Sequence, residues 1–323
     1  MTNVLVTGTG AVIGYGILKA LRGRAGIRTI ATDIFDHAAG QHFADAFVQA
    51  PLTRDPGYGD WLDGVIRREK IDLIIPGIEQ DVTWLTRAVL DGRRFDARIC
   101  LNTPEAIILC MDKIAFDARL AEMDESVRIP SRVTGTFAQV SDALGLPFLL
   151  KPRHGYSGKG IIVVRTAEDF APHAAALGQI YLAQSIVGDD DAEYTVSGFC
   201  VAGQLRASIA LRRWLSAEGS TARAETVPSD LFLAPMQRLS AALNLDGPTN
   251  FQFRVHDGKP LLLEINPRIS SATSLRAAFG YNEPLMCIAH YMAGREIYQP
   301  VLKEGRAVRY IEDIVEHASG ADL

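Results

Sequence analysis

The chain has 323 residues, 48% hydrophobic and 22% charged, with a net charge of −5. This is an ordinary globular composition, long enough for two or three units with continuous cores. No basic stripe offers to neutralise phosphates, so nucleic acid is not the expected partner, and no apolar run approaches the ~18 residues of a membrane span. Cys100, Cys110, Cys200 and Cys287 form no C-x-x-C pair and read as structural thiols of a reducing compartment, while the seven histidines show no metal-ligand spacing. The opening TNVLVTG reads as a strand rather than a signal peptide, which places the protein in the cytoplasm.

The apolar run Asn3 to Thr7, the glycines Gly8, Gly10, Gly14 and Gly16, and the helical spacing of Val12 to Leu21 predict strand, glycine turn and helix. Further strands are predicted over Arg28 to Asp33, Ile71 to Pro76 and Arg98 to Leu101, with helices over Tyr58 to Glu69 and Asp81 to Leu90. This alternation argues a parallel, Rossmann-like sheet over residues 1–105. Gly8-x-Gly10-x-x-x-Gly14 with Asp33 ending the second strand also resembles a dinucleotide site, in which Asp33 binds a ribose. Glu79 and Asp81 sit where α/β sheets bind ligands, or are helix-start acids favoured by the dipole.

Asn102-Thr103-Pro104-Glu105 predicts a helix start, with Lys113 following in Met111-Asp112-Lys113. Pro147 to Val164 predicts a strand ending at Lys151, a loop with Gly155, Gly158 and Gly160, and a second strand, IIVV. Such a loop lets backbone N–H groups close over phosphates, although it lacks the spacing and following helix of a P-loop. YLAQSI and EYTV read as strands around an acidic turn, Asp189 to Asp191, and LRRWLSAEGSTARAETV carries Arg212, Arg213 and Arg223. Arg306 to Glu316 alternates weakly and predicts a last strand.

Thr249 to Arg268, TNFQFRVHDGKPLLLEINPR, predicts a hairpin turning at Asp257-Gly258. Glu264 and Asn266 share a face and Ile265 points to the core. A two-residue loop would put Gln252 on the opposite face from Glu264, and a three-residue loop on the same face. One carboxylate and two amide oxygens would suit Mg²⁺; otherwise this is a hairpin with a polar face.

GPTNFQF followed by LLLEINPR resembles the metal-binding hairpin of the ATP-grasp superfamily, and its glutamine resembles the large chain of carbamoyl-phosphate synthetase. NTPEAIILCMDK, the strand-and-glycine segment after Pro147, and Tyr181 to Val196 are similar to further parts of that pattern, in family order. The resemblance implies a two-lobed α+β ATP-grasp domain after the Rossmann-like one, with a central lobe over 106–182 and a C-terminal lobe over 183–323. It implies ATP and Mg²⁺, with Mn²⁺ a substitute, held at Gln252, Glu264 and Asn266. Lys113 and Lys151 would meet the α- and β-phosphates, and the lid residues Gly155, Ser157 and Gly158 would cover them. Lys159 would fold onto the γ-phosphate, and Arg268 would face the transferred phosphoryl group. Ala183, Gln184, Ser185 and Ile186 would form the adenine hinge, and Glu193 would take the ribose. The lysine expected near STAR is absent.

The implied activity is that of a carboxylate–amine ligase forming an acyl-phosphate and releasing ADP, with small-molecule partners and a homodimer as the allowed assembly. Glu79 and Asp81 would wall the second-substrate site on one side, with Ser271 and Arg276 on the other. Arg276 binds a carboxylate or lies solvated on its helix. An NAD(P)-dependent oxidoreductase and a catalytically silent nucleotide-binding regulator are the alternative readings.

Overall fold

The computed structural model describes residues 1–155, 158–189, 192–216 and 219–315. Tyr156 and Ser157 of the glycine loop, and Asp190 and Asp191 of the acidic turn, lie outside the described residues. The first sheet contains β1 (Thr2–Val6), β2 (Ile27–Asp33), β3 (Ala46–Gln49), β4 (Leu73–Ile75) and β5 (Arg98–Ile99). They are parallel, in the order β3-β2-β1-β4-β5. Val4, Leu5 and Val6 are all buried because helices cover both faces. One face packs on α1 (Val12–Leu21), the other on α2 (Tyr58–Glu69) and α3 (Glu79–Leu90). β3 was not expected; AFVQ is too short to show a period of its own.

α4 (Pro104–Met111) and α5 (Lys113–Asp124) lead to the second sheet. It comprises β6 (Ser131–Arg132), β7 (Phe148–Pro152), β8 (Ile162–Val164) and β9 (Tyr181–Ser185), in the antiparallel order β6-β9-β7-β8. Phe148, Leu150 and Ala183 pack there against Val140 and Leu144 of α6 (Phe137–Leu144) and against Phe170 of the short α7 (Ala167–Phe170). A lobe boundary at 182/183 therefore falls inside β9, which hydrogen-bonds on both sides within this sheet.

The third sheet is antiparallel: β10 (Glu193–Val201), β11 (Gln204–Leu215), β12 (Thr221–Val227), β13 (Gly247–His256), β14 (Lys259–Asn266) and β15 (Arg306–Val308). Its order is β14-β13-β10-β11-β12-β15. Of the strand expected over 306–316, Arg306–Val308 form β15 and residues 309–315 form no strand, while Glu316 lies outside the described residues. One face packs on α8 (Asp230–Ala242) and α5. On the other, Phe199, Ile209 and Leu211 share a core with Val4, Val6, Ile17 and Leu18 of the first unit. α1 there meets α9 (Thr273–Ala278) and α10 (Glu283–Cys287), and Asn282 Nδ2 donates to the Ala20 carbonyl at 2.8 Å. This shared core fixes the first sheet's carboxyl edge opposite the β13–β14 hairpin. Among the described residues no helix is long and apolar enough to cross a membrane.

Candidate active site

The hairpin turns in two residues: Asp257 and Gly258 have φ of 48° and 72°, the paired left-handed conformation of a tight hairpin. His256 pairs Lys259, and the register runs regularly to Phe253 opposite Leu262. Continued unchanged, it would leave Gln252 on the face away from Glu264. Leu263 instead bulges, and beyond it Gln252 lies opposite Glu264 and Asn250 opposite Asn266. One extra residue thus re-aims the last turn of β14, as bulges beside active sites do. Phe251 and Ile265 anchor the other face in the core.

On the polar face Asn266 Nδ2 donates to Glu264 Oε1 at 2.9 Å, and Arg268 Nη2 donates to Asn266 Oδ1 at 3.3 Å. Arg268 Nε also donates to Glu79 Oε2 at 2.6 Å, joining the hairpin to the first turn of α3. Gln252 Oε1 accepts from Arg213 Nη2 at 2.5 Å, and the same nitrogen donates to Glu193 Oε1 at 2.6 Å. Arg254 Nη2 reaches Glu193 Oε2 at 3.3 Å. Antiparallel pairing explains this cluster, since Glu193 lies opposite Arg254 and Thr195 opposite Gln252.

One carboxylate and two amide oxygens on a single face suit a hard divalent cation that keeps waters and takes ligands from a phosphorylated substrate. Among the described residues no group of three or more His, Cys, Asp or Glu could hold a metal ion. Any such site therefore depends on the amide oxygens of Gln252 and Asn266, for which a cation would compete with Arg213 and Arg268.

Two lysines approach from the second sheet's side. Lys113 opens α5 and donates from Nζ to the Gly155 carbonyl at 2.8 Å. Asp112 caps that helix by accepting from Ile114 N and Ala115 N, and its other oxygen accepts from Arg153 Nε at 2.8 Å, tying the helix start to the base of the glycine loop. Lys151 is half-buried near the end of β7. Its ammonium is pushed down to about 8: removal from water is the largest cause, Glu264 opposes it, and the charges of Lys113 and Arg254 add to it.

On the first unit's side, the loops after β1 and β4 meet closely. A Cβ at Gly14 would collide with the Gly8 carbonyl, and one at Gly77 with the Thr7 carbonyl. Asp33 is spent inside this unit, Oδ2 accepting from Gly10 N at 2.7 Å and Oδ1 from Phe35 N at 3.1 Å. The glycines serve packing and Asp33 caps their loop, so the dinucleotide reading loses its ribose ligand. Asp81 is buried; its Oδ1 accepts from Thr53 Oγ1 at 2.6 Å and from Tyr58 OH at 3.2 Å, and burial pushes its carboxyl up.

Arg276 is a correction to both of its readings. Neither solvated nor open to a ligand, it is fully buried and ion-paired with the equally buried Glu283 at 3.2 Å. Its guanidinium also donates to Asn250 Oδ1 at 2.6 Å, Thr195 Oγ1 at 2.9 Å and Ser270 Oγ at 2.9 Å. A helix spacing cannot show that α9 lies against the back of β10 and β13.

Two cavities meet at this cluster. The larger, about 970 Å³, runs between the first unit and the hairpin, past Gly8, Glu79, Asp81 and Trp84. The smaller, about 590 Å³, runs under the glycine loop past Gly158, Lys159, Ser185, Ile186, Glu193 and Ser271. Lys113, Lys151, Glu264, Asn266 and Arg268 line both.

A family profile described as "ATP-grasp in the biosynthetic pathway with Ter operon" matches residues 190–314, and one described as "PylC-like, N-terminal domain" matches residues 4–96. N5-carboxyaminoimidazole synthetase of Staphylococcus aureus, solved with ADP, superposes with a TM-score of 0.69 over 93% of this chain and 80% of that one, at 15% identity. The biotin carboxylase domain of Hydrogenobacter thermophilus 2-oxoglutarate carboxylase, solved with MgADP, ADP and bicarbonate, gives 0.71 over 94% and 73%, at 14% identity. The chain is an ATP-grasp relative. By sequence it is 30% identical to formate-dependent phosphoribosylglycinamide formyltransferase of Polaromonas naphthalenivorans (strain CJ2) over 204 residues, 61% of this chain and 49% of that protein. It is 25% identical to the carbamoyl phosphate synthase large chain of Methanosarcina barkeri (strain Fusaro / DSM 804) over 258 residues, 72% of this chain and 24% of that one. The chain thus spans half or less of the length of the curated relatives it matches.

Seen as an ATP-grasp cleft, two expectations shift. Ala183 and Gln184 are paired to β6 and β7 on both sides, and Ser185 N donates to the Pro130 carbonyl at 3.0 Å. Their backbone cannot also read an adenine edge, so a hinge is confined to Ile186 and Val187, which line the smaller cavity. Glu193 is already held by Arg213 and Arg254, so a ribose there must share it. Both arginines were missed as site residues; the signal available for Arg254 was its position two residues from Gln252 on the same face. Arg212 and Arg223 instead stack on Trp214, at 5.0 and 4.0 Å from its ring.

Lys151 gives a pH prediction. Its folded pKa is depressed, so the lysine carries its charge below about pH 8 and loses it above. A bound polyphosphate favours the charged form, so nucleotide binding takes up a proton above pH 8. Affinity for an ATP analogue is expected to weaken there by up to about ten-fold per pH unit. Calorimetry in buffers of different ionisation enthalpy measures the uptake; the Lys151→Met protein should bind more weakly and without that slope. An equal slope in the variant would remove Lys151 from the phosphate site.

Proposed function

We propose that this chain is an ATP-dependent ligase that activates a small-molecule carboxylate as an acyl-phosphate and joins it to an amine, releasing ADP and phosphate. The observation that carries the reading is the convergence of Lys113, Lys151, Glu264, Asn266 and Arg268 where the two cavities meet. In the first step a carboxylate oxygen bonds to the γ-phosphorus and the bond to ADP breaks. In the second the bound ammonium first gives up a proton to solvent, the amine nitrogen then bonds to the acyl carbon, phosphate leaves with the carbon–oxygen electron pair, and the nitrogen's second proton passes to phosphate or solvent. When bound, Mg²⁺, or Mn²⁺ in its place, would neutralise phosphate charge as it shifts. Glu264, Gln252 and Asn266 would hold it. Lys113 and Lys151 supply fixed positive charge, the glycine loop with Lys159 excludes water, and Arg268 faces the acyl-phosphate. No residue need act as a covalent nucleophile, since positioning and electrostatics suffice.

The Glu79–Arg268 pair gives the acceptor an entry step. An incoming ammonium can replace Arg268 on Glu79, leaving the arginine for the phosphoryl group. Glu79→Gln is then expected to lower kcat/KM for the amine at least about ten-fold with ATP affinity little changed. Normal kinetics with a small stability change would make Glu79 a helix-start acid only.

The test of the activity is ADP release from ATP and Mg²⁺ across paired carboxylate and amine libraries. Release that requires both substrates is expected. ATP binding without acceptor-dependent release would favour the regulator, and protection from thermal unfolding by NAD(P) but not by ATP-Mg²⁺ would favour the oxidoreductase.

A further inference from the structure

The larger cavity carries more information about the acceptor than its acidic end. α3 runs along it as a ruler: Glu79, Thr83 and Arg87, four residues apart, lie on one stripe, Trp84 borders it three residues before Arg87, and all four line the cavity. From Glu79 to Arg87 the helix rises about 12 Å. Acid, aromatic ring and base therefore follow in order along one wall. Ile34, Phe35 and Leu52 line the same cavity while remaining 38%, 56% and 39% exposed, an apolar surface left in water beside a site. Arg87 and Arg54 are exposed at this wall and make no ion pair among the described residues. The helix dipole favours a base at position 87, but it does not supply the apolar surface between the two charges. The other acids of the cavity are committed, Asp33 to its loop, Asp81 to Thr53 and Tyr58, Asp117 to Arg128 at 2.7 Å, and Glu264 to the Gln252–Glu264–Asn266 set, where it accepts from Asn266. Glu79 is the one whose partner the ligase reading needs elsewhere.

We propose that the acceptor is an amphipathic amine: an ammonium held at Glu79, an apolar alkyl or aryl body over Trp84, Phe35 and Leu52, and an anionic group, carboxylate or phosphate, at the Arg87 end. The assignment of the amine as acceptor, and the release of Glu79 from Arg268, rest on the ligase reading, whereas the apolar body and the anion site at Arg87 rest on the cavity alone.

The test uses the intact protein and one series of amines with alkyl or phenyl spacers of graded length. Each spacer is made with a terminal carboxylate, with a terminal phosphate, without an anion, and with a hydroxylated body. Binding is measured by calorimetry, turnover by ADP release. Apolar spacers ending in either anion are expected to exceed their anion-free counterparts at least about ten-fold in affinity or kcat/KM. Each added methylene should contribute about four-fold until the length is matched. Arg87→Gln should erase the anion's advantage, leave the anion-free amines unchanged, and unfold at the wild-type temperature. Equal values with and without the anion, preference for hydroxylated bodies, or no binding by any member overturns the proposal. Arg87-dependent binding without ADP release keeps the cavity assignment and removes the ligase reading. ADP release indifferent to body and tail does the reverse.

Discussion

Replacing Glu264 by Gln is expected to lower ADP formation at saturating Mg²⁺ by at least about a hundred-fold while leaving the protein folded. Glu264 is the only carboxylate of the Gln252–Glu264–Asn266 set, so its charge alone offsets a divalent cation held against a triphosphate. The substitution keeps the side chain's volume, and a glutamine oxygen can still accept from Asn266 Nδ2. Stability should therefore change little, and the loss should appear in turnover. Removing Glu264 also removes the anion that holds Lys151 up toward its ordinary range, so the Lys151 ammonium should titrate lower in the variant. Wild-type rates in Glu264→Gln would take the metal site away from this hairpin.

The largest loss of stability is expected at Arg276. Arg276→Met leaves Glu283 charged and wholly buried, accepting only from Ser197 among the donors described here, and strips donors from Asn250 and Thr195. Breaking a buried pair by removing one partner costs about 3–5 kcal/mol, because the remaining charge has no compensation. A urea midpoint lowered at constant slope would register it. The double variant Arg276→Met, Glu283→Leu should recover much of the loss, since an apolar pair needs no partner. Were Arg276 a substrate ligand instead, stability would hold and the acceptor KM would rise. Since Asn250 lies opposite Asn266, the single variant should also loosen the hairpin's active face.

The elements with strong periodicity were legible in the residues alone. α1 spans Val12–Leu21 and α2 spans Tyr58–Glu69, as their apolar spacing predicts, and the strand–helix alternation of the first hundred residues is the parallel sheet. The order of Lys113, Lys151, the glycine loop and the E-x-N pair was legible too, because each carries a short local pattern. Less was legible where pattern is weak: β3 has four residues, and β15 three.

What the chain by itself determined is which chemical groups are present and on which side of each strand they stand, since strand alternation and helix periodicity are properties of neighbouring residues. What only the tertiary structure decided is which groups meet. The Leu263 bulge, invisible in a run of three leucines, brings Gln252 onto the face of Glu264 despite a two-residue turn. Pairing across strands puts Arg213 and Arg254 on Glu193, and packing of α9 on the third sheet takes Arg276 out of the substrate site. The core shared by α1, α9 and α10 sets Glu79 against Arg268 across 189 positions of sequence. Contacts at such separation depend on register and burial summed over whole elements, which no local stretch of sequence encodes.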